Sequence, residues 1–138
     1  MRQRHLDAVL NLLGLARRAG RVTVGEETTA AAVRAGEARL VVLASDAAER
    51  LVRRADHFGL PTLRLSADKL TLGGALGKST CAIAAVTDPG LAASVAERYG
   101  TPEADTIAEA LRCEAKELRE REKRPRGGQR SPGRRKQN

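Results

Sequence analysis

Two short runs, LVVLA at 40–44 and CAIAAVT at 81–87, constrain the fold of this chain more than any other feature. Each is apolar on successive residues and too short to be a self-sufficient helix, so both sides of an extended backbone have to be covered. A strand buried on both faces needs helices above and below it, and helical patterns stand in the chain where that requirement puts them.

Leu6, Val9, Leu10, Leu13 and Ala16 recur at helical spacing with Arg4, Asn11 and Arg18 on the opposite face, and Gly20 ends that helix as a C-terminal cap. VTV at 22–24 reads as a short strand that leads through Gly25 into EETTAAAVR, a helix with acids in its first turn and Gly36 just past its end. Asp46 and Glu49 have the spacing of a capping box that opens a helix to about Phe58, with Gly59 ending it. Pro61 to Leu65 reads as a further strand, and Ser66 as the cap of a helix to about Leu76. Asp88 and Pro89 start a helix that Gly100 closes. Strand and helix alternate, so the expected fold class is α/β. Residues 1–100 are expected to form a single three-layer α/β/α sandwich on a mixed sheet of about four strands.

From Thr101 the pattern changes. Thr101, Pro102 and Glu103 begin a new helix, and Ala104, Ile107, Ala108, Leu111, Ala115 and Leu118 form a narrow apolar stripe in an otherwise charged segment. An amphipathic helical extension is expected over 101–123, packing on the domain or docking a protein partner or the ribosome through 104–118. Residues 124–138 combine glycine, proline and cations with almost nothing apolar and are expected to form a disordered basic tail.

The charge balance suggests what the surface meets. Lys and Arg number 25 against 17 Asp and Glu. The excess is uneven: 14 basic and 10 acidic groups in residues 1–100, 5 and 7 in 101–123, and 6 and none in 124–138. A polyanion is the first partner to consider for such a chain, the alternative being a merely soluble basic protein. Cys81 and Cys113 have no ligand spacing, so neither a metal site nor a disulfide framework is expected, and a reducing, cytoplasmic setting fits them. His5 and His57 stand without a Ser, Cys or Asp constellation and read as solvated or helix-end histidines. The opening segment has Asp7 and Asn11 inside its apolar run and no cleavage site, so it reads as a helix of the domain rather than a targeting peptide. No stretch reaches the roughly 20 apolar residues of a membrane span.

GGALGKST at 73–80 looks like a loop for nucleotide phosphates, which needs a glycine, four spacers and then Gly-Lys-Ser/Thr. Counting back from Gly77, the required glycine falls on Leu72. The order of elements is also reversed, because a phosphate loop follows a strand and feeds a helix, whereas this one follows a helix and feeds a strand. Its amides lie past a helix C-terminus, the negative end of the helix dipole, and no nucleotide is expected there.

LNLLGLARRAG at 10–20, VGEETTAAAVRAGEARLVVLASDAAE at 24–49 and LGGALGK at 72–78, in this order and spacing, carry a resemblance. They are similar to the bacterial YlxQ-like branch of the ribosomal kink-turn-binding superfamily, the L-seven-Ae proteins, over about residues 5–98. The resemblance implies a small α/β/α RNA-binding domain, ribosome- or translation-associated, that binds structured RNA without catalytic chemistry or a cofactor. It implies contacts from the turn before the second helix (Gly25, Glu26, Glu27, Thr28 and Ala31) and from the loop after LGxAxGK (Lys78, Ser79, Thr80 and Cys81).

Kink-turn readers of the superfamily carry Gly-x-Asn-Glu in that turn and a lysine one helical turn later, which reach sheared G·A pairs. Here Glu27 stands in place of the asparagine, Thr28 of the glutamate and Ala31 of the lysine, while Gly74 occupies a position that many relatives fill with lysine. A carboxylate accepts from a base amino group but cannot donate to a purine acceptor, so the base contacts are altered. Arg17, Arg18 and Arg21 are candidate phosphate contacts that also suit a helix C-terminus. Arg124, Arg126, Arg130, Arg134, Arg135 and Lys136 are the candidate phosphate contacts of the tail. The alternative is a protein-interaction module that uses 101–123 and binds RNA only nonspecifically through the tail. An RNA-modifying enzyme is not expected in a chain without room for a catalytic domain.

Overall fold

Strands Leu40–Leu43 (β2) and Ile83–Val86 (β4) lie side by side at the centre of one sheet, and every residue of both is buried. The computed structural model describes residues 2–123. In chain order the other elements are α1 (Arg2–Arg18), β1 (Val22–Val24), α2 (Glu26–Arg34), α3 (Glu49–His57), β3 (Thr62–Arg64), α4 (Lys69–Ala75), α5 (Pro89–Tyr99) and α6 (Pro102–Lys123). The sheet runs β1-β4-β2-β3. β4 is antiparallel to both neighbours and β2 is parallel to β3, so the sheet is mixed.

Alternation along the central strands divides the core into two layers, because successive side chains leave a strand on opposite faces. Leu40, Val42, Ala84 and Val86 join Val9 and Leu13 of α1 and Val95 of α5 on one face. Val41, Leu43 and Ile83 pack with Leu51 and Ala55 of α3 on the other, where Ala85 meets Ala32 of α2. The result is an open four-stranded α/β sheet covered on both faces. With Phe58 and Tyr99 as its only aromatic residues, the chain fills this interior with Leu, Val and Ala.

The alanines explain α6. Ala92, Ala93 and Ala96 of α5 are fully buried, since α5 packs against α1 on one side and α6 on the other. Ala104, Ala108 and Leu111 of α6 belong to the same core cluster as β2 and β4, and Ala115 is buried beyond them. The apolar stripe is therefore occupied within the chain. Ion pairs flank it, with Arg39 Nη1 2.8 Å from Glu114 Oε2 and Arg112 forked onto Glu97.

Three local expectations are corrected. The helix at 49–57 is not opened by a capping box: its N-cap is Ala48, and Asp46 instead accepts the backbone N–H of Lys69 at 2.9 Å. Asp46 thus pins the β2–α3 turn to the start of α4. That helix begins at Lys69 rather than after Ser66, because Leu65 N–H bonds Leu43 O and Ser45 N–H bonds Ala67 O, which keeps the chain extended beside β2 for two more residues. Asp68 then caps it, accepting from Thr71 N–H at 2.8 Å. Finally, Cys81 precedes β4 rather than heading it. By contrast, Asp88 accepts from Leu91 N–H at 2.8 Å and Gly100 adopts a left-handed φ of 74°, as their residue types required.

Candidate nucleic-acid interface

Gly25 sits between β1 and α2 at φ 100° and ψ 161°, a conformation that side-chain-bearing residues rarely adopt. Its N–H donates to Ile83 O at 3.0 Å, and its carbonyl accepts from Thr29 N–H at 3.0 Å. The turn is thereby tied to the start of β4. Beneath it, the buried Thr29 hydroxyl lies 3.2 Å from that of Thr23. On the outer surface Glu27, Thr28 and Ala31 are all exposed within one helical turn.

The loop from Leu76 to Ala82 reaches the same place from α4. Lys78 N–H bonds Gly73 O at 2.8 Å and Cys81 N–H bonds Lys69 O at 2.9 Å, so both ends of the loop are held on α4. Gly73 lies directly under Thr80: a Cβ added there would stand 2.7 Å from Thr80 Cα. Gly77 supplies the left-handed turn, at φ 76°. Lys78, Ser79 and Thr80 are exposed.

Cys81 is buried, and its Sγ donates to Ile83 O at 3.2 Å. Burial pushes its thiol up against the opposing influence of hydrogen bonding and the nearby Arg17 guanidinium. The Ile83 carbonyl therefore accepts from both loops and fixes them at one edge of the sheet. The structure thus anchors at one carbonyl both the turn that leads from Gly25 into Glu26, Glu27, Thr28 and Ala31 and the loop that carries Lys78, Ser79 and Thr80, and it turns the Cys81 side chain inward.

The arginines of the first helix are divided. Arg17 Nη1 lies 3.5 Å from Val22 O and its charge reaches Cys81, which puts it beside the junction. Arg18 borders a groove with Leu10, Asn11, Gly14, Leu15 and Ala75. Arg21 is exposed at the far end of β1 from Gly25, where its carbonyl accepts from Thr87 N–H at 2.8 Å. The tail residues Arg124, Arg126, Arg130, Arg134, Arg135 and Lys136 lie outside the described residues.

Two residues of this edge went unnoticed in the sequence. Arg50 of α3 forks onto Glu26, with Nη1 2.9 Å from Oε2 and Nη2 3.1 Å from Oε1. Arg54, one turn on, places Nη1 2.5 Å from Glu26 Oε2 and 3.2 Å from Glu27 Oε2. Their spacing of four marks one helix face, but no residue pattern says that this face looks at the Gly25 turn.

Hydrogen bonds from Arg50 and then Arg54 lower the Glu26 carboxyl from 4.5 to about 2. A carboxylate whose pKa is lowered by folding contributes stability above its unfolded pKa and loses it as pH falls towards the folded one. Glu26→Gln is therefore expected to melt below the unmodified chain at neutral pH, with the difference closing between pH 4.5 and about 2. Thermal melts across that range check this. A gap that stays constant would mean that the ion network makes no pH-dependent contribution.

Among the described residues, no group of three or more His, Cys, Asp or Glu is arranged to hold a metal ion, and no helix is long and apolar enough to cross a membrane.

A model of the Ribosomal protein L7Ae/L30e/S12e/Gadd45 family matches residues 7–96. The chain belongs to this family. Within it, the chain is similar to a Bacillus subtilis protein named RNA-binding protein YlxQ, at 34% identity over 85 residues that cover 59% of this chain and 84% of that one. A protein of the same name from Enterococcus faecium is 39% identical over 54 residues, 39% of this chain and 52% of that one. Among solved structures, a Bacillus halodurans protein of unknown function superposes with a TM-score of 0.62 at 31% identity, covering 67% of this chain and 97% of the other. The Giardia lamblia 15.5kD RNA binding protein does so with a TM-score of 0.55 at 25% identity, covering 77% and 89%. These relatives bear out the YlxQ-like, L-seven-Ae resemblance and the fold read from the sequence.

Proposed function

We propose that this protein binds structured RNA without catalysing a reaction and serves in the cytoplasm as an accessory factor of the ribosome or of translation. The observation that supports the reading best is the junction at Ile83, which sets the Gly25 turn and the Lys78–Thr80 loop side by side on an exposed edge. Two family members similar to the chain are named RNA-binding proteins, and so is a solved structure that shares its fold. The RNA is kink-turn-like in shape, but Glu27, Thr28 and Ala31 meet it with altered base contacts. Crosslinking the protein to RNA in cells, followed by sequencing of the RNA and mapping of the joined peptides, tests this. Ribosomal RNA attached within 21–31 and 77–81 is the expected result. Attachment confined to 124–138 would sink it.

In the same reading the tail adds affinity without selectivity, since phosphate contacts position a protein and base contacts specify. Its six cations, with no acids among them, release counterions as they neutralise phosphates. If about three engage, deleting 124–138 should flatten the dependence of log affinity on log salt by roughly 2 to 3 units. Salt titrations of the full chain and of 1–123, against a structured RNA and a scrambled control, read both quantities. Lost discrimination in the shorter chain would overturn this division of labour.

A further inference from the structure

The Arg50 and Arg54 guanidiniums converge on Glu26, beside the turn proposed to meet RNA. The network staples α2 to α3, but stapling alone does not account for two arginines on one carboxylate. Ion pairs open to solvent add modest stability, and both helices are also anchored separately, α2 through Ala30 and Ala32 and α3 through Leu51 and Ala55. The arrangement has other properties. The Arg50 side chain is 67% exposed although both arms of its fork are engaged, whereas the Glu26 side chain is only 23% exposed. Arg50 thus stands to the outside, with the half-buried Arg54 and the carboxylate behind it.

A phosphate diester offers a guanidinium fork the same pair of anionic oxygens that a carboxylate does. We propose that Arg50 and Arg54 form a clamp for an RNA backbone phosphate, and that Glu26 occupies it when RNA is absent. This rests on the RNA-binding reading and adds to it a contact from α3, which neither the Gly25 turn nor the Lys78 loop supplies. Glu26 acts as an internal competitor: an incoming phosphate has to draw the forks off a carboxylate already in place. Because the Glu26 carboxyl is held at about 2, the clamp is not opened by protonation near neutral pH but by exchange of one anion for another. Weakly held RNA is discriminated against, and RNA also fixed at the Gly25 turn is favoured.

Three forms of the full chain test this against a labelled kink-turn RNA hairpin, with affinity measured from low to high salt: the unmodified protein, Glu26→Gln, and Glu26→Gln combined with Arg50→Ala and Arg54→Ala. Glutamine keeps the size of the side chain and an acceptor oxygen but cedes the charge. Glu26→Gln is expected to bind more tightly and to steepen the salt dependence by roughly 1 unit, since a freed Arg50 that engages a phosphate adds about 0.7 to 0.9 while Arg54 keeps its contact with Glu27. The triple variant, which has no clamp to engage a phosphate, should fall below the slope of the unmodified chain. An unchanged slope in Glu26→Gln, or a steeper one that survives both alanines, overturns the clamp while leaving RNA binding intact. Failure of all three forms to bind RNA at low salt overturns both readings together.

Discussion

Gly73→Ala is expected to destabilise the protein by about 1–3 kcal/mol, the usual cost of forcing an extra carbon into a packed contact. Its neighbour Gly74→Ala is expected to leave stability unchanged or raise it by up to about 1 kcal/mol, because a helical glycine gives way to a better helix former. The difference lies in what each Cβ would meet. At Gly73 it would fall 2.7 to 2.9 Å from three backbone atoms of Thr80, and at Gly74 nothing lies within 4 Å.

Backbone cannot rotate aside as a side chain can, so in Gly73→Ala the 76–82 loop has to lift off α4. Lifting it strains the Lys78 N–H bond to Gly73 O and the Cys81 anchor on Lys69 O, and so displaces the exposed Lys78, Ser79 and Thr80 from the edge they share with Gly25. Urea unfolding of both variants measures the stability difference, and RNA affinity under folded conditions reads the displacement. Equal midpoints for the two variants would show that Gly73 and Thr80 are not in close contact. The same geometry explains GGALGKST: the glycine at 73 makes room for the returning backbone, and the one at 77 turns the chain.

What the sequence made legible follows from how local each cause is. The central strands, the Gly25 turn, the Asp88 cap and the Gly100 cap each depend on residues within a few positions of one another, so composition and periodicity were enough. The misplaced helix starts at 49 and 69 are different. Asp46 looks like a cap for the helix that follows it, but its carboxylate is taken by Lys69 N–H, 23 residues away. Ser66 is a good capping residue in a stretch that pairing to β2 keeps extended.

The candidate site divides along the same line. Glu26 and Glu27 read as first-turn acids that suit a helix N-terminus, and they are that. Their partners Arg50 and Arg54 lie 24 to 28 residues on, at one turn of spacing on α3, and only the stacking of α2 and α3 over the same face of the sheet brings them within reach. The stripe on α6 was visible as a stripe, but α5, with Ala92, Ala93 and Ala96 on its buried side, decides what it covers.

Exchanging Glu27→Asn and Ala31→Lys together is expected to strengthen binding to a consensus kink-turn by about 1–3 kcal/mol, the range for one good base contact regained. Both positions can accept the change. Each is exposed, and they stand one helical turn apart on the same face of α2, so the new side chains point to the same solvent-facing surface beside Gly25. Glu27 as it stands is a poor reader of G·A pairs for two reasons. Its carboxylate only accepts, and one of its oxygens is already 3.2 Å from Arg54 Nη1. Asparagine supplies a donor and an acceptor on one planar group and removes a charge that repels phosphate, while lysine at 31 adds a cation that reaches along the helix. The gain should be specific: a hairpin whose G·A pairs are replaced by Watson–Crick pairs should profit only from the change in charge, with a steeper salt dependence but no added discrimination. Competition binding of the two hairpins to the unmodified and doubly substituted chains separates these contributions. If the double substitution strengthens both hairpins equally, the Gly25 turn attracts RNA here without reading it, and selectivity has to come from elsewhere on the edge.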